Sequence, residues 1–212
     1  MSEIEKRFMP TSAAELRVLD PDGKRMLVGW AGVHNSLSEE MGPPHRKFRE
    51  RVASGTFQRS ISRGPDVIAT IDHDESKIMG RVSAGTLRIK AEERGLYVEV
   101  DPPNTSYAND LQESIRRGDV KGMSFSFKKP VDKWGQEFIE GRSMAVRELQ
   151  DFEIVDVSFV IRPAYLNTEV ALRSLKEWEE SLFDQEGFDA RSRRLDLACR
   201  EGIAAEFGVE FP

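Results

Sequence analysis

Gly122-Met123-Ser124-Phe125-Ser126-Phe127 decides how the rest of the chain is read. Large apolar side chains at 123, 125 and 127 alternate with hydroxyls at 124 and 126. A period of two residues is that of a β-strand. The aromatic face anchors such a strand in a core and leaves Ser124 and Ser126 held on the opposite face.

The same pattern extends outward from this stretch. Downstream, a polar hairpin is predicted around Trp134-Gly135, followed by a strand over Phe152 to Ile161 that Pro163 ends. Strict alternation there puts Val155, Val157, Phe159 and Ile161 on one face and Ile154, Asp156, Ser158 and Val160 on the other. By the same parity Asp151 and Glu153 point away from Asp156. Upstream, Leu16 and Val18 are separated from Met26 and Val28 by the turn signal Asp20-Pro21-Asp22-Gly23. A polar loop spans Asn35 to Arg46, and Phe48, Glu50 and Val52 then alternate. Phe57 and Ile61 share one face of a short helix. Val67 to Ile71 forms a β-prone run that ends in Asp72-His73-Asp74. Leu87 to Ala91 and Leu96 to Val100 form a hairpin that turns at Glu92-Glu93-Arg94-Gly95. Thr105 or Ser106 can cap a helix bearing Ala108, Leu111 and Ile115, with Arg116 and Arg117 in its last turn and Gly118 as its stop.

After Arg173 the period changes. Leu175, Trp178 and Leu182 fit one amphipathic helix, and Leu195, Ala198, Cys199 and Ile203 a second. The expected organisation is a mostly β (α+β) domain over residues 1–173 and a helical C-terminal tail over 174–212.

Composition narrows the function. A formal charge of −6 with scattered Lys and Arg offers no nucleic-acid surface; the one basic cluster, Arg191, Arg193 and Arg194, is interleaved with acids. Cys199 is the single cysteine, so no intrachain disulfide forms, which fits a reducing compartment. No apolar run reaches membrane-spanning length, and Met1 to Arg7 lacks the apolar segment of a secretory signal. A soluble protein made in a cytoplasm, without a membrane partner, is expected. No phosphate-binding glycine loop, zinc-finger spacing or HExxH pair is present, and no cofactor is implied.

A hydroxyl nucleophile needs a base within hydrogen-bond reach and a third group to orient that base. The three histidines are His34, His45 and His73. His73 ends an apolar run between two aspartates; His34 and His45 lie in or beside the long loop. Their spacing does not resemble a ligand set, although a metal hydrolase built on all three is a rival reading. Ser124 sits on a rigid element beside Gly122, which lets a substrate backbone come close. The same parity also fits a sheet with one solvated face. Asp156, a carboxylate within an apolar run, requires a partner.

Several stretches, in order, resemble the prohead protease family of tailed phages, related in fold to the herpesvirus assemblin proteases. They are Gly29-Trp30-Ala31; Phe48-x-Glu50-x-Val52 with Gly55-x-Phe57; Asp72-His73-Asp74 with Gly80-Arg81; Gly95-Leu96; Gly122-Met123-Ser124-Phe125; and Asp156-Val157-Ser158 with Pro163-Ala164-Tyr165. The resemblance covers roughly residues 25–173. It implies a small closed or curled antiparallel β-barrel of the assemblin type with flanking helices. It implies His73 as base and Ser124 as nucleophile; Ser126 stands where many relatives have glycine and puts a second hydroxyl, an alternative attacking group, on the same face. Asp156 stands where the family usually has glutamate, and a shorter acid must come closer to the imidazole. Arg162 matches, by analogy with assemblins, an arginine of the oxyanion site. The implied activity is a serine endopeptidase that removes scaffold segments of the phage major capsid protein and processes itself. It would act inside the assembling prohead in the host cytoplasm, as a homodimer or higher oligomer. A non-enzymatic assembly or scaffolding factor on the same fold is the alternative.

Overall fold

A tight turn joins the two longest strands, and they carry two of the three candidate site residues, Ser124 and Asp156. The computed structural model describes residues 3–9, 11–20, 24–161 and 171–182. In chain order the elements are β1 (Glu5–Met9), α1 (Thr11–Ala14), β2 (Arg17–Leu19), β3 (Met26–Val33), β4 (Phe48–Val52), α2 (Thr56–Ser62), β5 (Ile68–Ile71), β6 (Asp74–Arg81), β7 (Leu87–Ala91), β8 (Gly95–Val100), α3 (Ser106–Arg117), β9 (Gly122–Ile139) and β10 (Arg142–Val160). The chain divides into two units, residues 1–170 and 171–212. The second contributes a helix over residues 171–182 among the described residues, so helical structure is already present three residues before Ser174. Arg162, Pro163 to Tyr165 and the proposed helix over Leu195 to Ile203 lie outside the described residues.

The first unit is mostly β. One sheet has the order β1-β9-β10-β5-β6, with β4 also paired to β10; the other has the order β2-β3-β8-β7. The second sheet is antiparallel throughout, as expected. The first is not: β4 and β5 both run parallel to β10. An all-antiparallel barrel is therefore corrected to a curled mixed sheet packed with a smaller antiparallel one. The reason lies in the connections. The segment through α2 returns the chain in its original direction before β5, as a parallel neighbour requires.

Two local expectations also change. Trp134-Gly135 is not a turn; β9 runs through it, and Trp134 is buried against Phe48 with ring centroids 5.3 Å apart. The chain reverses instead at Glu140-Gly141, both with positive φ (50° and 83°), the backbone of a two-residue hairpin whose twist matches its strands. Thr105 occupies the N-cap of α3 but makes no side-chain capping bond, whereas Gly118 closes the helix in the left-handed region as predicted.

One core lies between the sheets. Phe125, Phe127 and Phe152 stack on one another, and Phe57 packs edge-on to Phe125 and Phe152 at 5.3 and 5.6 Å. Gly32 is required here, because a Cβ would stand 2.4 Å from the Phe57 ring. This aromatic cluster fixes which way β9 faces, and hence where Ser124 and Ser126 point.

The other notable interior is ionic. Arg147, fully buried, donates to Glu5 at 2.8 Å, to Glu50 at 2.9 Å and to Asp132. Arg7 donates to Glu50 at 2.8 Å and to Glu5, which ties β1 to β4 and β10. Burial opposes the charge on Glu50, but Arg7 and Arg147 outweigh it and hold its carboxyl below the ordinary value of 4.5. A depressed folded-state pKa contributes stability above the unfolded value, and that contribution is lost as pH falls through the folded one. Thermal melts of wild type and Glu50→Gln are therefore expected to differ most near neutrality and to converge as the pH drops below 4.5. A difference that stays constant with pH would exclude Glu50 as a source of acid lability.

Candidate active site

His73 is delivered by a strained turn. Asp72 and His73 join β5 to β6 with φ of 50° and 58°. Two successive positive φ values make a two-residue hairpin loop, and Asp and His tolerate this region better than most side chains. Three bonds to β10 and its end hold the turn. Asp72 N–H donates to the Phe159 carbonyl (2.9 Å), Ile161 N–H donates to Asp72 Oδ1 (3.2 Å), and His73 N–H donates to Ser158 Oγ (2.8 Å). Ser158 Oγ itself donates to the Thr70 carbonyl at 3.1 Å.

The turn aims the imidazole across the ladder of β9 and β10. His73 Nδ1 lies 2.6 Å from Asp156 Oδ1, and His73 Nε2 lies 2.8 Å from Ser124 Oγ. Ser124 and Asp156 sit on rungs two apart and therefore on the same face, because Ser124 pairs with Ser158 and Ser126 with Asp156. The three sequence-predicted residues thus meet in one hydrogen-bonded line. Ser124 is 3% exposed and Asp156 8%.

Alternation alone did not place Asp156 correctly relative to its neighbours. Ile154 pairs with Phe127 and Asp156 with Ser126, so Val155 is an extra residue, a β-bulge. Across the bulge the inward residues change from Phe152 and Ile154 to Val157 and Phe159, all in the core. Ile154 is therefore on the core face, and the expectation that it shares a face with Asp156 is corrected. Glu153, in turn, lies off the core face, as Asp156 does. It is separated from the site by its partners Lys129 (2.8 Å) and Lys128 (3.6 Å); Asp151 is held by Arg63.

Ser126 is not placed to compete for the base. Its hydroxyl is fully buried and donates to Asp156 Oδ2. Ser124 Oγ also lies within donating distance (2.9 Å) of the Arg7 carbonyl of β1, an alternative acceptor for its one proton that the sequence did not suggest. Antiparallel pairing of Phe8 with Ser124 puts that carbonyl there. Ser158 could have been found from the sequence, since it shares parity with Asp156 on the unbulged end of the strand. Arg7 could not, because nothing local links it to residue 124.

The structure does not gather the three histidines. His34 Nδ1 faces the Glu93 carbonyl at 3.2 Å, its ring lies against Phe57, and both ring nitrogens of His73 face Asp156 and Ser124. Among the described residues no group of three His, Cys, Asp or Glu is arranged to hold a metal ion. Also among the described residues, no helix is long and apolar enough to cross a membrane.

The sequence profile of the caudovirus prohead serine proteases matches residues 12–181. The chain belongs to this family. As a family member it is related to serine proteases of phage capsid maturation, and the matched region contains all of His73, Ser124 and Asp156. Among solved structures it is similar to the capsid assembly protease of bacteriophage T4, at 11% identity and a TM-score of 0.48, over 76% of this chain and 97% of that one. No curated protein matches it.

Proposed function

We propose that the chain is a serine endopeptidase in which Ser124 attacks, His73 carries the proton and Asp156 orients and stabilises the imidazolium. The observation that carries this reading is the continuous line Ser124 Oγ to His73 Nε2, and His73 Nδ1 to Asp156 Oδ1, at 2.8 and 2.6 Å. With Nδ1–H donated to Asp156, Nε2 keeps its lone pair toward Ser124. As Oγ bonds to the scissile carbonyl carbon, Nε2 takes its proton, and the carbonyl π pair moves to oxygen as the oxyanion. Collapse of the tetrahedral intermediate expels the amine, which receives that proton from Nε2. A water then repeats the sequence on the acyl-enzyme and frees Ser124. Oxyanion donors contribute about 3–4 kcal/mol each in such sites. Arg162 is the proposed one, on resemblance alone.

The proposed substrate is the scaffold segment of the phage major capsid protein, cut inside the assembling prohead in the host cytoplasm by a homodimer or higher oligomer of assemblin-like fold. Self-processing within residues 174–212 is part of the same proposal. Family membership supports the substrate, and the proposed cut falls at the acid- and glycine-containing stretch Asp184-Gln185-Glu186-Gly187, a composition typical of cleaved segments. Co-expression with the capsid protein of the same phage tests both. The active chain is expected to shorten the capsid protein and to lose mass from its own C-terminus. A full-length capsid protein beside the wild-type chain would favour the non-enzymatic assembly factor.

A further inference from the structure

Two serines beside the nucleophile have no part in the proton path, yet both are fully buried and point at it. Ser158 binds the backbone of His73. Ser126 binds the side chain of Asp156, and this contact acts on the reacting line itself. Asp156 uses Oδ1 toward His73 and Oδ2 toward Ser126, so each of its two oxygens faces a side-chain donor. The terminal torsion of an aspartate is broad and roughly two-fold, so packing alone sets the carboxylate plane loosely. The Asp156 side chain is only 11% exposed, so water solvates it little. A carboxylate there depends on directed donors both for its solvation and for its orientation.

Resting on the triad reading above, we propose that Ser126 is a positioning residue: by donating to Oδ2 it fixes the Asp156 plane so that Oδ1 stays in line with His73 Nδ1–H. The bulge at Val155 is what brings the two side chains opposite each other, as a cross-strand pair on the same face as Ser124 and Ser158. An aspartate, one methylene shorter than glutamate, has little slack, and the hydroxyl takes up the remaining rotation. A hydroxyl that merely satisfied itself in a core would leave the imidazole unaffected when removed.

The test uses the full-length chain and a fluorophosphonate, which reports the nucleophilicity of the serine without needing a peptide substrate. Ser126→Ala removes one oxygen and adds no bulk. Its labelling rate is expected to fall about 10–100-fold, the range seen when a histidine ligand loses its outer hydrogen-bond partner. The low-field proton resonance of His73 Nδ1–H, one of only three histidines to assign, is expected to move toward the position of a weaker bond. A wild-type rate overturns the proposal, and so does a slowed rate with that resonance unmoved. Ser124→Ala keeps the two failures apart: it is expected to show no labelling while retaining the low-field resonance. Labelling that survives in Ser124→Ala removes the triad reading itself, whatever Ser126→Ala does.

Discussion

Ser124→Ala is expected to lower peptide hydrolysis by at least roughly 10⁴-fold, because nucleophile and base act as a unit and the remaining groups recover little of their combined effect. The fold is expected to be unchanged. Met123, Phe125 and Phe127 hold β9 from the core side, and the hydroxyl makes no core contact. Its removal takes away one proton that either the Arg7 carbonyl or His73 Nε2 can accept, and a water can supply it to either. The comparison is with Ser126→Ala, which keeps the attacking hydroxyl and so loses far less. Initial rates on a capsid-protein fragment, with melting temperatures for both variants, decide the matter. Activity within tenfold of wild type in Ser124→Ala would move the nucleophile elsewhere.

Asp156→Asn is expected to cost on the order of 10⁴-fold for a different reason. Ser126 continues to donate to the outer position, so the amide places its oxygen there and its NH₂ toward His73 Nδ1. That NH₂ can only donate. The imidazole must then accept at Nδ1 and carry its proton on Nε2, where it can no longer take one from Ser124. The geometry survives but the tautomer is wrong. Glu153→Gln, whose carboxylate is held by Lys128 and Lys129, is expected to change the rate by less than about twofold, as for a surface substitution. Turnover by Asp156→Asn equal to that of Glu153→Gln would exclude Asp156 as the orienting acid.

Much of this site was legible because it is written in short-range patterns. Alternation at 122–127 put Ser124 and Ser126 opposite an aromatic face. The run 67–71 delivered His73 at a strand end, and an acid within apolar residues marked Asp156 as needing a partner. Such signals are local: period, turn residues and the cost of an unpaired charge depend on neighbours a few positions away. The family resemblance then linked segments that no local rule connects.

The sequence by itself therefore determined the strand at 122–127 with its buried face, and singled out Ser124, His73 and Asp156 as candidates. Their arrangement was decided only by the tertiary structure. The parallel pairing of β4 and β5 with β10 depends on how the connections cross, which no strand's own residues encode. The bulge at Val155 arises from register against β9 and reverses the faces on either side of it. The role of Ser126 turns on a contact 30 residues away, and the Arg7 carbonyl on one 117 residues away. The pairing of Glu50 with Arg7 and Arg147 is likewise non-local. A charge on a buried strand face shows only that a partner must exist, and folding decides which one comes within reach.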